Sequence, residues 1–148
     1  MGVKYTGTVT INKPQQEVAK YFEDPQYLGN YQDGFLRKEF VSGELGQKDA
    51  VSKMYYKQGK GEMELTETVI ANNLPDSFEG FYHHKHMDNT MKTSFIALDD
   101  NTTKYVTEVE YIAFRGFVPK VLGLFFKGMF RKQGEKWMVN FKNFVEEQ

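Results

Sequence analysis

The stretch that decides the fold is residues 116–148, GFVPKVLGLFFKGMFRKQGEKWMVNFKNFVEEQ. Pro119 suits the first turn of a helix, and apolar residues recur after it at spacings of three and four. This pattern predicts a long C-terminal helix that contains Gly123, Gly128 and Gly134 in its interior. Each glycine costs about 1 kcal/mol relative to alanine in a helix, so we expect another part of the chain to come close at these positions.

One stripe of this predicted helix is suited to pack on a sheet. The stripe consists of Leu122, Phe126, Met129, Gln133, Trp137, Phe141 and Phe144. The first half of the helix has a second apolar surface, formed by Val121, Leu124 and Phe125. Because a helix that only covers a sheet needs one stripe, the second surface predicts that this half borders an incompletely filled space as its wall and mouth.

Composition limits the classes of function. The chain has 148 residues, a formal net charge of −1 and no cysteine, and we expect one domain over residues 1–148. A nearly neutral chain has no field that attracts nucleic acid, and the absence of cysteine excludes disulfides and thiol catalysis. A cytoplasmic location is expected, because no signal segment and no apolar run of about 18 residues is present.

Short strands and turns occupy most of the remaining chain. VKYTGTVTI (3–11) alternates apolar and polar residues, as is typical of a strand with one buried face. A helix over NKPQQEVAKYF (12–22) follows, and then either a short second helix or a loop. Between residues 35 and 114 we predict about six strands, separated by turns that include ELGQK, NNLPD and MDNT. The order predicts an α+β fold, a single antiparallel sheet with helices on one face.

Charged residues mark the solvent face of each predicted strand, and the opposite face has an unusual composition for a dry core. It is rich in Met, Phe and Tyr but also contains Thr, one carboxylate and imidazole groups. Such polar groups need partners when buried, whereas a ligand pocket uses this mixture. The predicted ligand-binding residues are Tyr56, Met63, Leu65, Glu67, Tyr82, His84, Met91, Phe95, Tyr111, Phe125, Phe126, Met129 and Trp137.

Glu67 is the foremost candidate for chemistry. The turn at NNLPD pairs residues whose numbers sum to about 147–149, which places Glu67 beside Gly80 or Tyr82. A carboxylate in an apolar pocket can act as an acid or a base. Two interpretations stay open: Glu67 contacts a ligand or acts in catalysis with Tyr82 or His84, or it is a structural residue bonded to a hydroxyl.

The three histidines of the chain all occur in HHKH, residues 83–86. On a strand His84 and His86 would share a face, and a His-x-His pair binds zinc where a third ligand is near. No cysteine or suitably spaced partner accompanies them, so we predict no metal site and interpret His84 as a hydrogen-bonded pocket residue. The sequence contains no phosphate-binding loop and no nucleophile elbow, and no cofactor is predicted.

The order of these segments resembles the SRPBCC superfamily, which has the START-like or helix-grip fold. The resemblance covers essentially the whole chain and rests on the strand ending IN-KP, on QQEVAKYFEDPQYLGNY, on the strand meander and on the terminal helix. Pro14, Val18, Asp24 and Pro25 match the first-helix signature, while Tyr31 stands about where a tryptophan is usual. The resemblance implies a curved antiparallel sheet of about seven strands that grips the C-terminal helix, with a hydrophobic cavity between them.

Several functions follow from this resemblance, since the superfamily includes lipid and hormone carriers, coenzyme Q-binding proteins, polyketide cyclases and chaperone activators. The first is binding of a hydrophobic small molecule, such as a lipid, isoprenoid or polyketide-like compound. The second is a cavity enzyme of cyclase or hydrolase type that uses Glu67 with Tyr82 or His84. The third is an interaction module like the chaperone activators. We favour the first, because it requires only the cavity.

The apolar residues around Phe125 allow two further interpretations. In one, they form a movable rim of the cavity, and the surrounding Lys120, Lys127, Arg131 and Lys132 let this rim touch an anionic membrane surface transiently. In the other, the same patch is a homodimer interface, because exposed apolar patches commonly mark partner contacts.

Overall fold

A seven-stranded antiparallel sheet forms the body of the protein over residues 3–116 and 128–148, which the computed structural model describes. The strands are β1 (Val3–Ile11), β2 (Phe35–Ser42), β3 (Val51–Gln58), β4 (Gly61–Asn73), β5 (Ser77–His83), β6 (Met87–Asp99) and β7 (Thr102–Phe114). Their order across the sheet is β1-β7-β6-β5-β4-β3-β2, so consecutive strands from β2 to β7 are neighbours and β1 pairs with β7. The predicted antiparallel meander is confirmed.

Helices pack on one face of this curved sheet. They are α1 (Gln15–Glu23), a 3-10 turn (Pro25–Tyr27), α2 (Leu28–Tyr31) and α3 (Met129–Glu146). Helix α3 packs against β1 and α2, while α1 contacts β6 and β7. The architecture is therefore α+β, with the sheet gripping the C-terminal helix as predicted.

The C-terminal helix differs from its prediction at the N-terminal end. Gly128 has a φ of +69°, in the left-handed region, and α3 begins at the next residue, Met129. A left-handed residue cannot continue an α-helix, so the prediction of one helix running from Pro119 through Gly128 is wrong at this point. Residues 117–127, which include Pro119 and Gly123, lie outside the described part of the structure.

The buried face of α3 is also rotated from the predicted stripe. Its buried residues are Met138, Phe141 and Val145. Met129 is 50% exposed and Gln133 is also exposed, so neither packs on the sheet. The physical reason is Gly134, which continues the buried spacing and lies against the ring of Tyr5 on β1. The prediction that glycine permits a close approach is correct for Gly134.

Among residues 3–116 and 128–148, an aromatic cluster fills one end of the core. Phe95 of β6 is 1% exposed, and its ring lies 5.3 Å from that of Phe22 on α1 and 5.2 Å from that of Tyr105 on β7. Phe141 of α3, which is 0% exposed, completes this aromatic cluster at 5.5 Å from Tyr105. Beyond this cluster, the described residues leave a cavity between the sheet and the helices.

The turn between β5 and β6 lies earlier than predicted. Backbone hydrogen bonds join His84 and Met87 in both directions, at 2.9 and 3.3 Å, so the chain reverses at residues 85–86. The backbone N–H of His86 also donates to Nδ1 of His84 at 3.1 Å, and this local bond favours a turn over a strand. The segment MDNT, predicted as the turn, is instead the start of β6.

Candidate functional site

A cavity of about 1020 Å³ lies between the inner face of the sheet and the helices. Its aromatic lining consists of Tyr5, Phe22, Tyr31, Tyr56, Phe78, Tyr82, Tyr105, Tyr111, Phe130 and Trp137. Its aliphatic lining consists of Leu28, Leu45, Ala50, Met54, Met63, Leu65, Val69, Leu74, Met87, Met91, Val109 and Met138. Ligand pockets usually hold about 300–1,000 Å³, so the cavity has room for a large organic molecule.

The structure brings most of the predicted ligand-binding residues to this cavity. Those that line it are Tyr56, Met63, Leu65, Glu67, Tyr82, His84, Met91, Tyr111 and Trp137. Phe95 instead belongs to the packed aromatic cluster, and Met129 is half exposed at the start of α3. Phe125 and Phe126 lie outside the described residues, as does most of the apolar and basic patch around them.

Glu67 is the buried carboxylate of the cavity. It is 6% exposed and stands opposite Tyr82 in the register of β4 and β5, which is one of the two neighbours predicted from the turn. Tyr82 Oη donates a hydrogen bond of 2.8 Å to Glu67 Oε2. Burial and then the negative charge of Glu67 hold the pKa of Tyr82 well above its usual range, so its hydroxyl stays a neutral donor.

Lys38 supplies the positive charge that balances Glu67. Its Nζ lies 2.9 Å from Glu67 Oε1, and the Lys38 side chain is 21% exposed. Each carboxylate oxygen of Glu67 thus has its own partner, a cation on one side and a neutral hydroxyl on the other. A buried carboxylate needs such partners, because its desolvation otherwise costs several kcal/mol, on the order of 5.

Sequence reasoning did not identify Lys38, and the structure explains why. Phe35 pairs with Tyr56 and Lys38 pairs with Met54, two inward residues of β3, although residues three apart on a regular strand face opposite sides. A register shift between Phe35 and Arg37 reverses the alternation and turns Lys38 inward. The sequence offers one indication of such a residue, because a buried Glu67 requires a cation nearby.

A polar row crosses the inner face of the sheet at the level of Glu67. The strand registers align Ser52, Glu67, Tyr82, Asn89 and Tyr111, which come from five successive strands. Apolar residues border the row, with Met54 and Leu65 on one side and Val69 and Met91 on the other. The cavity is therefore suited to a molecule with an apolar body and a polar group near its middle.

A second polar contact lies where α2 meets β3. Tyr56 Oη donates to Gln32 Oε1 at 2.7 Å, and the ring of Tyr56 stacks on that of Trp137 with the centroids 5.7 Å apart. Burial, followed by the charge of Glu67, raises the pKa of Tyr56, which therefore remains a neutral phenol. This aromatic stack joins α3 to the sheet and forms one wall of the cavity.

The histidines divide into two environments at the β5–β6 turn. His84 and His86 line the cavity with ring centroids 5.5 Å apart, and burial followed by the charge of His86 lowers the pKa of His84. His83 instead faces Asp88, with Nδ1 2.7 Å from Oδ1. Over residues 3–116 and 128–148, no group of three or more His, Cys, Asp or Glu side chains is arranged to hold a metal.

Comparison with known proteins supports the fold through structure alone. No family model and no curated protein matches the sequence. The Zhui aromatase/cyclase from a Streptomyces species superposes with a TM-score of 0.82 at 10% identity, over 99% of this chain and 94% of that one. A START superfamily protein from Mycobacterium smegmatis gives a TM-score of 0.73 at 10% identity, over 97% of both chains. The chain has the START-like helix-grip fold.

A third solved structure with this START-like fold contains bound small molecules. Norcoclaurine synthase from Thalictrum flavum, in complex with dopamine and hydroxybenzaldehyde, superposes with a TM-score of 0.71 at 12% identity, over 100% of this chain and 88% of that one.

The helices within the described residues include none that is both long and apolar enough to cross a membrane.

Proposed function

We propose that this START-like protein binds a hydrophobic small molecule, of the lipid, isoprenoid or polyketide-like kind, in the cavity between sheet and α3. The observation that carries the proposal is the cavity of about 1020 Å³ with its aromatic and aliphatic lining. An aromatase/cyclase and a synthase with two aromatic compounds bound have the same fold, which favours a small organic ligand.

The size of the cavity argues for an occupant. Protein interiors are close-packed, and they contain few voids larger than a water molecule. An empty apolar space forfeits the dispersion contacts of every side chain that lines it. Large residues such as Met63, Met91 and Trp137 border the space without filling it, and a bound hydrophobic molecule restores the missing contacts.

Dye binding and native mass spectrometry test the proposal. The protein should bind an apolar fluorescent dye, and native mass spectrometry of protein purified from its own host should show a bound organic compound. Met91→Trp narrows the cavity and should weaken dye binding, whereas Ile96→Trp, on the same strand but 47% exposed, should leave dye binding unchanged. Equal dye binding by both variants would exclude the cavity as the binding site.

A second candidate is a cavity enzyme of cyclase or hydrolase type. It is favoured by one contact, the 2.8 Å bond between Tyr82 and Glu67 inside an apolar space, because this environment can support acid–base chemistry. His84 is a further candidate acid or base at the turn end of the cavity. If the bound compound is converted, Glu67→Gln should stop turnover while binding persists, and unchanged turnover would exclude this role.

For the apolar patch around Phe125 we propose two alternative roles, transient membrane contact and a homodimer interface. Transient membrane contact predicts that the protein cosediments with anionic vesicles and not with neutral ones. A homodimer predicts a mass of two chains in solution and a single chain for Phe125→Asp. Both measurements use the same protein preparation. Vesicle binding by a single chain supports membrane contact, whereas a mass of two chains without vesicle binding supports the homodimer.

A further inference from the structure

Two irregularities of β2 frame Lys38. The register with β3 shifts between Phe35 and Arg37 and again between Phe40 and Ser42. Such bulges commonly re-aim a side chain at the edge of a sheet beside a functional site. Here the first of them directs Lys38 into the cavity, where its amine meets Glu67 at 2.9 Å.

We propose that Lys38 forms a reversible imine with ligands that carry an aldehyde or ketone on an apolar body. The inference rests on the proposed function, since the apolar body must first occupy the cavity. It adds a covalent step and a chemical class of ligand that hydrophobic binding alone does not require.

Lys38 differs from the other described lysines that line the cavity. Lys20 and Lys85 are exposed to solvent, whereas Lys38 is 21% exposed and touches a carboxylate. An ammonium group is not a nucleophile, so imine formation needs a nearby group that accepts its proton. Glu67 Oε1 is in position to accept it across the 2.9 Å contact.

The two oxygens of Glu67 have separate partners, so this proton transfer leaves the rest of the site in place. Tyr82 Oη donates to Glu67 Oε2 at 2.8 Å, while Oε1 faces the Lys38 amine at 2.9 Å. Oε1 can therefore exchange a proton with Lys38 without breaking the bond to Tyr82.

The step balances without an oxidant or reductant. The Lys38 nitrogen lone pair attacks the carbonyl carbon, and the carbonyl oxygen takes the proton held by Glu67 to give a carbinolamine. Glu67 then removes a proton from nitrogen and returns one to the hydroxyl group. The C–O bond breaks, water leaves, and a C=N bond joins the ligand to Lys38.

Reductive trapping tests the inference. Full-length protein is incubated at neutral pH with 2-naphthaldehyde and sodium cyanoborohydride, then digested, and the labelled lysines are quantified by mass spectrometry. We expect Lys38 to be labelled at least about tenfold faster than the exposed Lys57. The cavity holds the aldehyde next to the Lys38 amine and its proton acceptor, and this raises the rate of reaction. Equal labelling of Lys38 and Lys57 would overturn the inference.

Two variants separate an imine from a purely structural ion pair. Lys38→Arg keeps the cation beside Glu67 but cannot form the imine, so the label at position 38 should vanish while the fold persists. Glu67→Gln keeps the amine but removes the proton acceptor, and trapping at Lys38 should slow at least about tenfold. Trapping at an unchanged rate in Glu67→Gln contradicts the role given to Glu67.

A hydrocarbon separates this inference from the proposed function. 2-Methylnaphthalene has the same apolar body as the aldehyde but no carbonyl, and it should displace the dye from native protein. If it does so while Lys38 stays unlabelled by the aldehyde, the imine is wrong and the binding function stands. If it does not displace the dye from native protein, the proposed function itself fails.

Discussion

Gly80 of β5 lies beneath the phenol of Tyr82, two residues farther along the strand. A Cβ atom added at position 80 would be 2.8 Å from Tyr82 Oη, closer than folded proteins tolerate. The absence of a side chain at Gly80 therefore lets the ring of Tyr82 lie along the sheet, where its hydroxyl reaches Glu67 at 2.8 Å. The same arrangement keeps the ring on the wall of the cavity.

Gly80→Ala should disturb the site through this contact. The added methyl lifts the ring of Tyr82 away from the sheet, breaks its bond to Glu67 and moves the phenol into the ligand space. We expect dye affinity to fall by about tenfold, which corresponds to about 1.4 kcal/mol. Fluorescence titration measures this change.

Two controls decide whether the effect passes through Tyr82. Gly29→Ala, at a helical position whose nearest neighbour would be 3.8 Å away, should leave dye affinity unchanged. In the Gly80→Ala background, Tyr82→Ala removes the crowded ring together with its hydroxyl and should restore part of the affinity. No restoration would mean that Gly80 acts on the site by another route.

The sheet could be predicted from sequence because its signals are local. Alternation with period two fixes which side chains share a face, and the turn at NNLPD fixes the register of β4 against β5. Those two rules predict that Glu67 lies beside Gly80 or Tyr82, and in the structure it pairs with Tyr82. The inward position of most cavity residues follows in the same way.

Other features could not be predicted because they depend on departures from these rules. The bulge that turns Lys38 inward changes the strand phase by one residue, and nothing in FLRKEFVS marks it. The turn at His84 depends on a side-chain bond to the backbone of His86. The rotation of α3 depends on how Gly134 meets Tyr5, a contact between residues that are far apart in the chain.

Removal of Lys38 should cost more stability than removal of an exposed lysine. Lys38→Met leaves the charge of Glu67 buried without a cation, and we expect the free energy of unfolding to fall by about 3 kcal/mol. Urea denaturation measures the loss. A double variant with Glu67→Gln should lose less than Lys38→Met alone, because it no longer buries an unpaired charge.

Lys53→Met is the matched control for this comparison. Lys53 lies on the neighbouring strand β3 and its Nζ is 3.9 Å from Glu64 Oε1, but the two side chains are 43% and 49% exposed. Such a surface pair contributes little, so the change in unfolding free energy should stay within about 0.5 kcal/mol. Equal losses in Lys38→Met and Lys53→Met would show that burial of the Glu67 charge has little effect.

Gly134→Ala should destabilise the protein although alanine favours helices. The substitution gains about 1 kcal/mol of helix propensity, but crowding against the ring of Tyr5 costs roughly 1–3 kcal/mol. We expect a net loss of about 1 kcal/mol in urea denaturation. Tyr5→Phe in the same background removes the hydroxyl nearest to the new methyl and should recover part of the loss. If Gly134→Ala is instead more stable than the native protein, the ring of Tyr5 moves away from the methyl at little cost.

The bond between Arg115 and Asp88 should make stability depend on pH in the acid range. Arg115 Nη1 donates to Asp88 Oδ2 at 2.9 Å and Nη2 donates to Oδ1 at 2.7 Å. These bonds, with a smaller contribution from His83, lower the pKa of Asp88. An aspartate with a depressed pKa stabilises the folded state fully above its unfolded value of about 3.9, and the contribution is lost as the pH falls through the folded pKa.

Asp88→Asn should therefore lower the melting temperature at neutral pH, by about 3 °C, and this gap from the native protein should close as the pH falls below about 4. Thermal melts followed by circular dichroism between about pH 2 and 7 measure the gap. Asp100→Asn, in the exposed turn between β6 and β7, is the control and should differ little from the native protein at any pH. A gap for Asp88→Asn that widens in acid would give the opposite sign and contradict the stabilising role of the Arg115 contact.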